Sequence, residues 1–133
     1  MAGGQDAGLK GIATAYRLDP TTNKWVATGK MLTAAYDRAA AVLANGKVLV
    51  AGGLPANLKP AIAAAELFDP ATGTWTATVP MPSARDQSEA VLLRDGSILV
   101  AGGDAGYIPP ASVPWCPKAI TETLRYIPAL PRF

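Results

Sequence analysis

Residues 47–53 read KVLVAGG and residues 97–103 read SILVAGG, so the chain contains nearly the same seven residues twice, 50 positions apart. Aligning the chain with itself at that offset matches further pairs: Asp19-Pro20 with Asp69-Pro70, Trp25 with Trp75, and Asn45-Gly46 with Asp95-Gly96. Self-similarity at a fixed period of roughly 20 to 50 residues indicates a repeat architecture. The sequence predicts one region, 1–133, with repeat units at about 2–50, 51–100 and 101–133, the last incomplete.

The first recurring turn lies between two apolar runs of each repeat. Asn45-Gly46 and Asp95-Gly96 occupy it, and these dipeptides favour the type I′ turn of a β-hairpin. We therefore expect paired strands at 39–43 and 47–51, and again at 89–93 and 97–101.

The second recurring turn begins with Asp-Pro. The segments that start at Asp19 and at Asp69-Pro70 predict hairpins, because Asp can accept hydrogen bonds from backbone amides further along and Pro fixes φ. Asn23 and Gly73 stand where a left-handed residue is needed. With strands near 14–18 and 25–28 and a last one near 121–126, nine strands are expected.

The alanine-rich segments 33–44 and 61–68 allow a rival interpretation, since helix propensity alone would make both helical. The β-turn dipeptides at fixed spacing favour strands instead. The glycine pairs that follow these strands, Gly52-Gly53 and Gly102-Gly103, allow backbone conformations closed to other residues or the close approach of another backbone.

Composition excludes several classes of protein. The net charge is +2 and no run of like charges occurs, which argues against a nucleic-acid or anionic-membrane surface. No apolar stretch is long enough for a membrane helix, and no signal peptide is recognisable, so the compartment is left open. Cys116 is the only cysteine, which rules out an internal disulfide.

The repeats resemble a known family in the segments VLVAGG, AELFDPATGTWT, MPSAR and LLRDGSILVAGG. They are similar to bacterial kelch repeats, including those in the central domain of galactose oxidase-like proteins. The resemblance implies an all-β fold, a partial kelch-type β-propeller with about two to two and a half four-stranded antiparallel blades. Trp25 and Trp75 are then expected to pack between blades.

The chain departs from the family after the Met segment, where many bacterial kelch repeats carry Arg and then His, three residues later. The first copy has Ala35 and Arg38 at these positions, and the second has Arg85 and Ser88. Whatever contacts the His makes in the family are replaced here.

Little more than two blades cannot close a propeller ring, which usually needs about four to eight. Two expectations follow: the sequence is a fragment of a longer propeller, which we favour, or several copies complete a ring as a homo-oligomer. Exposed first and last strands would otherwise invite pairing with other chains.

Up-and-down connectivity predicts the tight turns at one end of the blades and the irregular loops, named b–c and d–a after the strands they join, at the other. Loops on a rigid scaffold concentrate binding residues. Aromatic and Arg side chains dominate binding hot spots, so the candidate contacts for a protein or glycan are Tyr36, Arg38, Arg85, Asp86, Gln87, Tyr107 and Trp115. The alternative is structural: Arg85 ties its loop to the blade, and Tyr107 and Trp115 cover the sheet.

An enzyme is less well supported. The chain has no His, which excludes His-dependent triads, His-based zinc sites and the His ligands of copper oxidases of the galactose oxidase type. No phosphate loop or nucleophile elbow occurs. A carboxylate pair such as Asp37 with Asp86 is indistinguishable from solvated charges, and Cys116 has no activating neighbour beyond Lys118. We expect neither metal nor cofactor.

Two functions therefore stay open. The first is a non-catalytic recognition propeller that binds a protein or glycan through its loop end. The second is a scaffold portion of a larger galactose oxidase-like or other propeller enzyme whose catalytic residues lie outside this chain. A self-assembling partial propeller is a third, purely structural interpretation.

Overall fold

The computed structural model describes residues 1–57, 59–106 and 119–128, and within them the regular secondary structure is entirely β. Three antiparallel sheets follow one another along the chain. The first sheet contains β1 (Tyr16–Asp19) and β2 (Lys24–Ala27); the second contains β3 (Ala39–Val42), β4 (Val48–Ala51), β5 (Ala65–Asp69) and β6 (Thr74–Ala77); the third contains β7 (Glu89–Leu92), β8 (Ile98–Ala101) and β9 (Leu124–Tyr126).

Each sheet is an up-and-down meander in which consecutive strands pair, in the order β3-β4-β5-β6 for the complete one. The register repeats with the sequence: Val48 pairs with Phe68 in the second sheet, and Ile98 pairs with Tyr126 in the third. The prediction of an all-β chain of two to two and a half four-stranded units is confirmed. The last strand is shorter than the 121–126 expected.

The alanine-rich segments form strands, so the helical alternative is wrong. Ala39, Ala51 and Ala65 are buried between the second and third sheets, where small side chains let the sheets lie close together. Packing thus overrides the helix propensity of alanine. The core of the molecule lies at this interface and comprises Ala39, Leu43, Leu49, Ala51, Ala65, Met81, Ile98, Val100, Leu124 and Tyr126.

The hairpin turns after β3 and β7 differ from the type I′ turn predicted. A type I′ turn needs positive φ at both central residues, whereas in each loop only the glycine, Gly46 or Gly96, has it, at +81°. The Gly46 amide donates to the Leu43 carbonyl at 2.9 Å, and the Leu43 amide donates to the Lys47 carbonyl at 2.8 Å. This is the three-residue loop with a left-handed glycine at its end, the next commonest hairpin connection.

The Asp-Pro turns form as predicted. The Asp69 carboxylate accepts from the Ala71 amide at 2.9 Å, and Asp19 accepts from the Thr21 amide at 2.9 Å. Asn23 has φ +53° and Gly73 has φ +71°, which confirms the left-handed position. An amide-bearing side chain and a glycine exchange here because both tolerate that conformation.

The two tryptophans at equivalent positions have different environments. Trp75 is half-buried, its ring centroid lies 5.0 Å from that of Phe68, and Gly29 of the preceding loop lies against it. Trp25 is 59% exposed, so the expectation that it packs between blades is wrong. The reason is geometric: Trp75 lies against the loop that follows the first sheet, whereas the described residues contain no further sheet on the corresponding side of the first sheet.

Candidate functional site

The irregular loops meet at one end of the sheets, as the connectivity predicts. The loop before β3 pairs with the loop after β4 through reciprocal backbone hydrogen bonds between Tyr36 and Leu54, at 3.0 and 2.9 Å. One repeat later, Asp86 and Asp104 make the same bridge, at 3.0 and 3.1 Å. We call this end, with residues 29–38, 52–57, 59–64, 79–88, 102–106 and 119–123, the loop end.

Backbone hydrogen bonds also join the loop end from sheet to sheet. The Ala61 amide donates to the Ala105 carbonyl at 2.9 Å, and the Gln87 amide donates to the Asp37 carbonyl at 3.0 Å. The Gly53 amide donates to the Arg85 carbonyl at 2.9 Å. The loop end is therefore one hydrogen-bonded layer, held to the sheets beneath it.

The glycine pair after β4 makes this close approach possible. Gly52 has φ +71°, and a Cβ added there would lie 2.2 Å from the Arg85 carbonyl oxygen. At Gly53, with φ +105°, a Cβ would lie 2.5 Å from the Tyr36 carbonyl oxygen. Both the left-handed conformation and the lack of space require glycine. At Gly102 the conformation is the same but the space is open, while at Gly103 the Asp86 carbonyl lies 2.3 Å from the added Cβ.

Arg38 is buried in an internal clamp rather than presented to solvent. Its side chain is 4% exposed and its Nη1 lies 3.2 Å from Glu66 Oε1. It also donates to the Thr33 carbonyl at 3.1 Å, while Glu66 accepts from the amides of Leu32 and Thr33 at 2.7 and 2.9 Å. Burial lowers the pKa of Arg38, an effect that the charge of Glu66 opposes. Arg38 and Glu66 thus hold the loop before β3 onto β5.

Arg85 forms a second clamp in the next repeat. Its side chain is 0% exposed and its Nη2 lies 3.0 Å from Glu122 Oε1. The guanidinium also donates to the carbonyls of Gly102 and Glu122 at 3.1 and 3.0 Å and to the Ser83 hydroxyl at 2.7 Å. These contacts favour the structural alternative for Arg85, which ties its loop to the loop after β8.

Asp86 is buried next to the carboxyl of Asp104. Burial, the hydrogen bond with Asp104 and its charge, and the charge of Asp37 together raise the pKa of Asp86 to about 7. Asp86 Oδ1 is buried without a hydrogen-bond partner among the described residues. Two carboxyl groups this close share a proton more readily than both ionise, so this pair is not a solvated charge.

Of the residues predicted to contact a partner, only some are accessible at the loop end. Asp37 and Gln87 are exposed and stand at equivalent positions, both left-handed, with φ +53° and +51°. Tyr36 is half-buried, and burial followed by the charges of Asp37 and Asp86 raises its pKa. Tyr107, Trp115 and Cys116 lie outside the described residues.

Sequence reasoning missed three residues: Glu66, Asp104 and Glu122. The signal for Glu66 was present, since this acidic residue stands between the apolar residues Ala65 and Leu67 of β5, and a buried carboxylate needs a cation. Asp104 and Glu122 stand in loops of different sequence in the two copies, so alignment gave no signal for them.

Two specialised features are absent from the described part of the chain. Among residues 1–57, 59–106 and 119–128, no three His, Cys, Asp or Glu side chains are arranged to hold a metal ion. Across the same ranges there is no helix that is long and apolar enough to span a membrane.

Comparison with known proteins gives a likeness at the level of structure. No family model and no curated protein matches the sequence. Among solved structures, the chain is similar to a fungal alcohol oxidase of the AA5 family determined in complex with copper, with a TM-score of 0.69 and 26% identity. The match covers 82% of this chain and 25% of the oxidase, so the chain spans about a quarter of that protein. The chain has an all-β, partial propeller fold.

Proposed function

We propose that the chain is a non-catalytic kelch-type recognition scaffold whose loop end binds a protein or glycan. One observation carries this proposal: Asp37 and Gln87 are exposed at equivalent positions on a layer whose backbone is fixed by hydrogen bonds between neighbouring loops. Both side chains project from left-handed residues, a conformation that is uncommon outside glycine and is often associated with binding sites.

The two Arg–Glu clamps support this proposal indirectly. They use the charged side chains of Arg38 and Arg85 to brace the loops, which leaves Tyr36, Asp37 and Gln87 as the accessible residues among the predicted contacts that the structure describes. A pre-organised surface loses little conformational entropy on binding. Hydroxyl, carboxylate and amide groups suit hydrogen bonding to a sugar or to a polar peptide.

The test is a binding screen with matched variants. The wild-type chain, an Asp37→Ala/Gln87→Ala double variant and a Thr21→Ala/Thr72→Ala control at the opposite end are each probed on a glycan array and against a protein array. We expect ligands of the wild type to lose roughly tenfold in affinity for the double variant and none for the control. Binding that survives in the double variant or fails in the control contradicts the proposal.

A second candidate function is a scaffold portion of a larger enzyme, and the likeness to the AA5 alcohol oxidase favours it. The chain lacks His, so in this case the copper ligands and the reactive groups would lie on other segments. The flanking coding sequence separates the candidates: further repeats alone favour the recognition scaffold, whereas added domains with His and Tyr ligands favour the enzyme. A fixed small oligomer measured by light scattering would favour self-assembly.

A further inference from the structure

The turn between β3 and β4 presents an Asn-Gly pair to solvent. Asn45 and Gly46 are both exposed, and a Cβ added at Gly46 would meet no atom of a non-adjacent residue within 4 Å. Asn45 Oδ1 accepts from the Lys47 amide at 3.1 Å, whereas Asn45 Nδ2 has no hydrogen-bond partner among the described residues. The side-chain amide is thus held at its oxygen and free at its nitrogen, and the backbone nitrogen of Gly46 is unobstructed.

These are the groups that formation of a cyclic imide requires. The Gly46 nitrogen attacks Cγ of Asn45 and loses its proton, and negative charge develops on Oδ1, where the Lys47 amide already donates. The bond from Cγ to Nδ2 then breaks, and Nδ2 leaves as ammonia with that proton. Water opens the ring at one of its two carbonyls, which gives aspartate or isoaspartate. Solvent water is the only co-reactant.

The reaction requires the turn to open briefly. The Gly46 amide donates to the Leu43 carbonyl at 2.9 Å, and this bond must break before the nitrogen can attack Asn45. A single neutral hydrogen bond at an exposed turn belongs to the least stable parts of a fold, which open most often.

We propose that Asn45 is a site of spontaneous deamidation whose aspartate product the turn accepts. The second copy of the turn shows why, because it carries Asp95 at the same place. There the Gly96 amide donates to the Leu93 carbonyl at 3.0 Å, and the Asp95 carboxylate accepts from the Ser97 amide at 3.0 Å, as in the first turn. Isoaspartate adds a carbon to the backbone and cannot keep this pattern.

The two nearest alternatives in the chain are less reactive. Hydrogen bonds from Ser97 lower the pKa of Asp95, so its side chain is an ionised carboxylate, which is a poor electrophile. Asn23 is exposed as well, but the residue after it is Lys24, whose side chain hinders attack by the backbone nitrogen. Asn45 is therefore expected to react selectively.

Deamidation changes the charge of a cleft between the second and third sheets. The cleft has a volume of about 380 Å³, and Asn45, Asp95 and Arg125 are among the residues that line it. Arg125 donates to Ser97 and Asp95 through Nε and Nη2, and its Nη1 has no partner within the described ranges. The product places a second carboxylate on the cleft that holds this guanidinium, and it lowers the net charge of the chain by one.

The test incubates the intact chain in mildly alkaline buffer made with heavy-oxygen water, and maps its peptides by mass spectrometry at intervals. Ring opening inserts one labelled oxygen at each converted residue. We expect residue 45 to convert at least about tenfold faster than Asn23, which serves as the internal control. Equal rates at the two asparagines overturn the proposal.

Three variants test the chemistry and the fate of the turn. Asn45→Gln should remove the label from residue 45, because attack would then need a six-membered ring. Asp95→Asn creates a second Asn-Gly turn and should label residue 95 within about threefold of the rate at Asn45. Asn45→Asp represents the product, and amide exchange at Leu43, measured by NMR, should stay within about threefold of the wild type. No label at residue 95, or a loss of protection at Leu43 above about tenfold, contradicts the proposal.

Discussion

The second and third sheets hold their loops with the same chemistry but from different positions in the repeat. In the second sheet the clamp is Arg38 with Glu66, both buried, and the carboxylate lies on a strand. In the third sheet it is Arg85 with Glu122, where the arginine is buried and the glutamate side chain is 51% exposed. The comparison shows that what the fold requires is a guanidinium between the loops, and that two positions in the repeat can supply it.

The largest effect is expected from Glu66→Ala. It leaves Arg38 buried without its counter-ion and removes the acceptor of the Leu32 and Thr33 amides. Loss of one partner of a buried pair costs about 3–5 kcal/mol of unfolding free energy. Urea unfolding followed by circular dichroism measures the loss, and a loss below that of Glu122→Ala would contradict the comparison.

The next largest effect is expected from Arg85→Ala, which should lower the unfolding free energy by about 2–3 kcal/mol. The variant leaves the carbonyls of Gly102 and Glu122 without their donor and creates a void. The Glu122 side chain that remains is half-exposed and stays solvated. The same unfolding experiment tests this, with Arg94→Ala, an exposed arginine near the following turn, as the control. If the unfolding free energy of Arg85→Ala equals that of the wild type, water replaces the guanidinium in the variant.

Asp86→Asn probes the pH dependence of the loop end. The pKa of Asp86 is raised to about 7 in the folded chain, above 3.8 in the unfolded chain, so the folded state holds its proton more tightly between these values. The unfolding free energy of the wild type should therefore fall as pH rises from about 4 to 7 and level off above about 7.

In the Asp86→Asn variant that fall should be absent, which thermal unfolding at a series of pH values would show. The pKa values of Asp19, Asp69 and Asp95 are lowered by hydrogen bonds at the turns. These groups act with the opposite sign, and their contribution is lost only as pH falls below about 4. An unchanged slope between pH 4 and 7 in the variant would assign the effect to another group.

The smallest effect is expected from Glu122→Ala. The variant removes the counter-ion of the buried Arg85, but the Ser83 hydroxyl and the carbonyls of Gly102 and residue 122 still accept from its guanidinium. Water solvates the half-exposed glutamate in either state, so the expected loss of unfolding free energy is about 1 kcal/mol. The measured ratio between Glu66→Ala and Glu122→Ala sharpens the comparison directly. Equal losses would show that the two clamps are bound equally tightly despite their different exposure.

The sequence predicted the strands and turns well because those depend on local chemistry. Asn23 and Gly73, for example, sit where their backbone tolerance is needed. The predicted type of the hairpin turn at Gly46 was wrong. The turn type depends on the residue pair that closes the loop, and this pair lies one position from the predicted one. Local dipeptides do not fix that register.

The candidate site was less predictable, since it depends on contacts between distant residues. Arg38 and Arg85 were candidate binding residues, with a structural role as the alternative for Arg85. Their partners lie 28 and 37 positions away, in strands and loops that only the fold brings together. The proposed binding role of Tyr36, Asp86 and Gln87 stays a prediction. Trp25 shows the same limit: a repeat position predicts packing only where a neighbouring sheet is present.

The two outer sheets also have a consequence for symmetry. The exposed face with Trp25 lies at the first sheet, whereas the exposed face with Val91 lies at the third, so any contact that joins these surfaces between copies is heterologous. Such contacts close only if the rotation from copy to copy divides a full circle; otherwise they generate an open helical filament. The rotation between adjacent sheets therefore determines whether copies of this chain would form a discrete particle or an unlimited fibre.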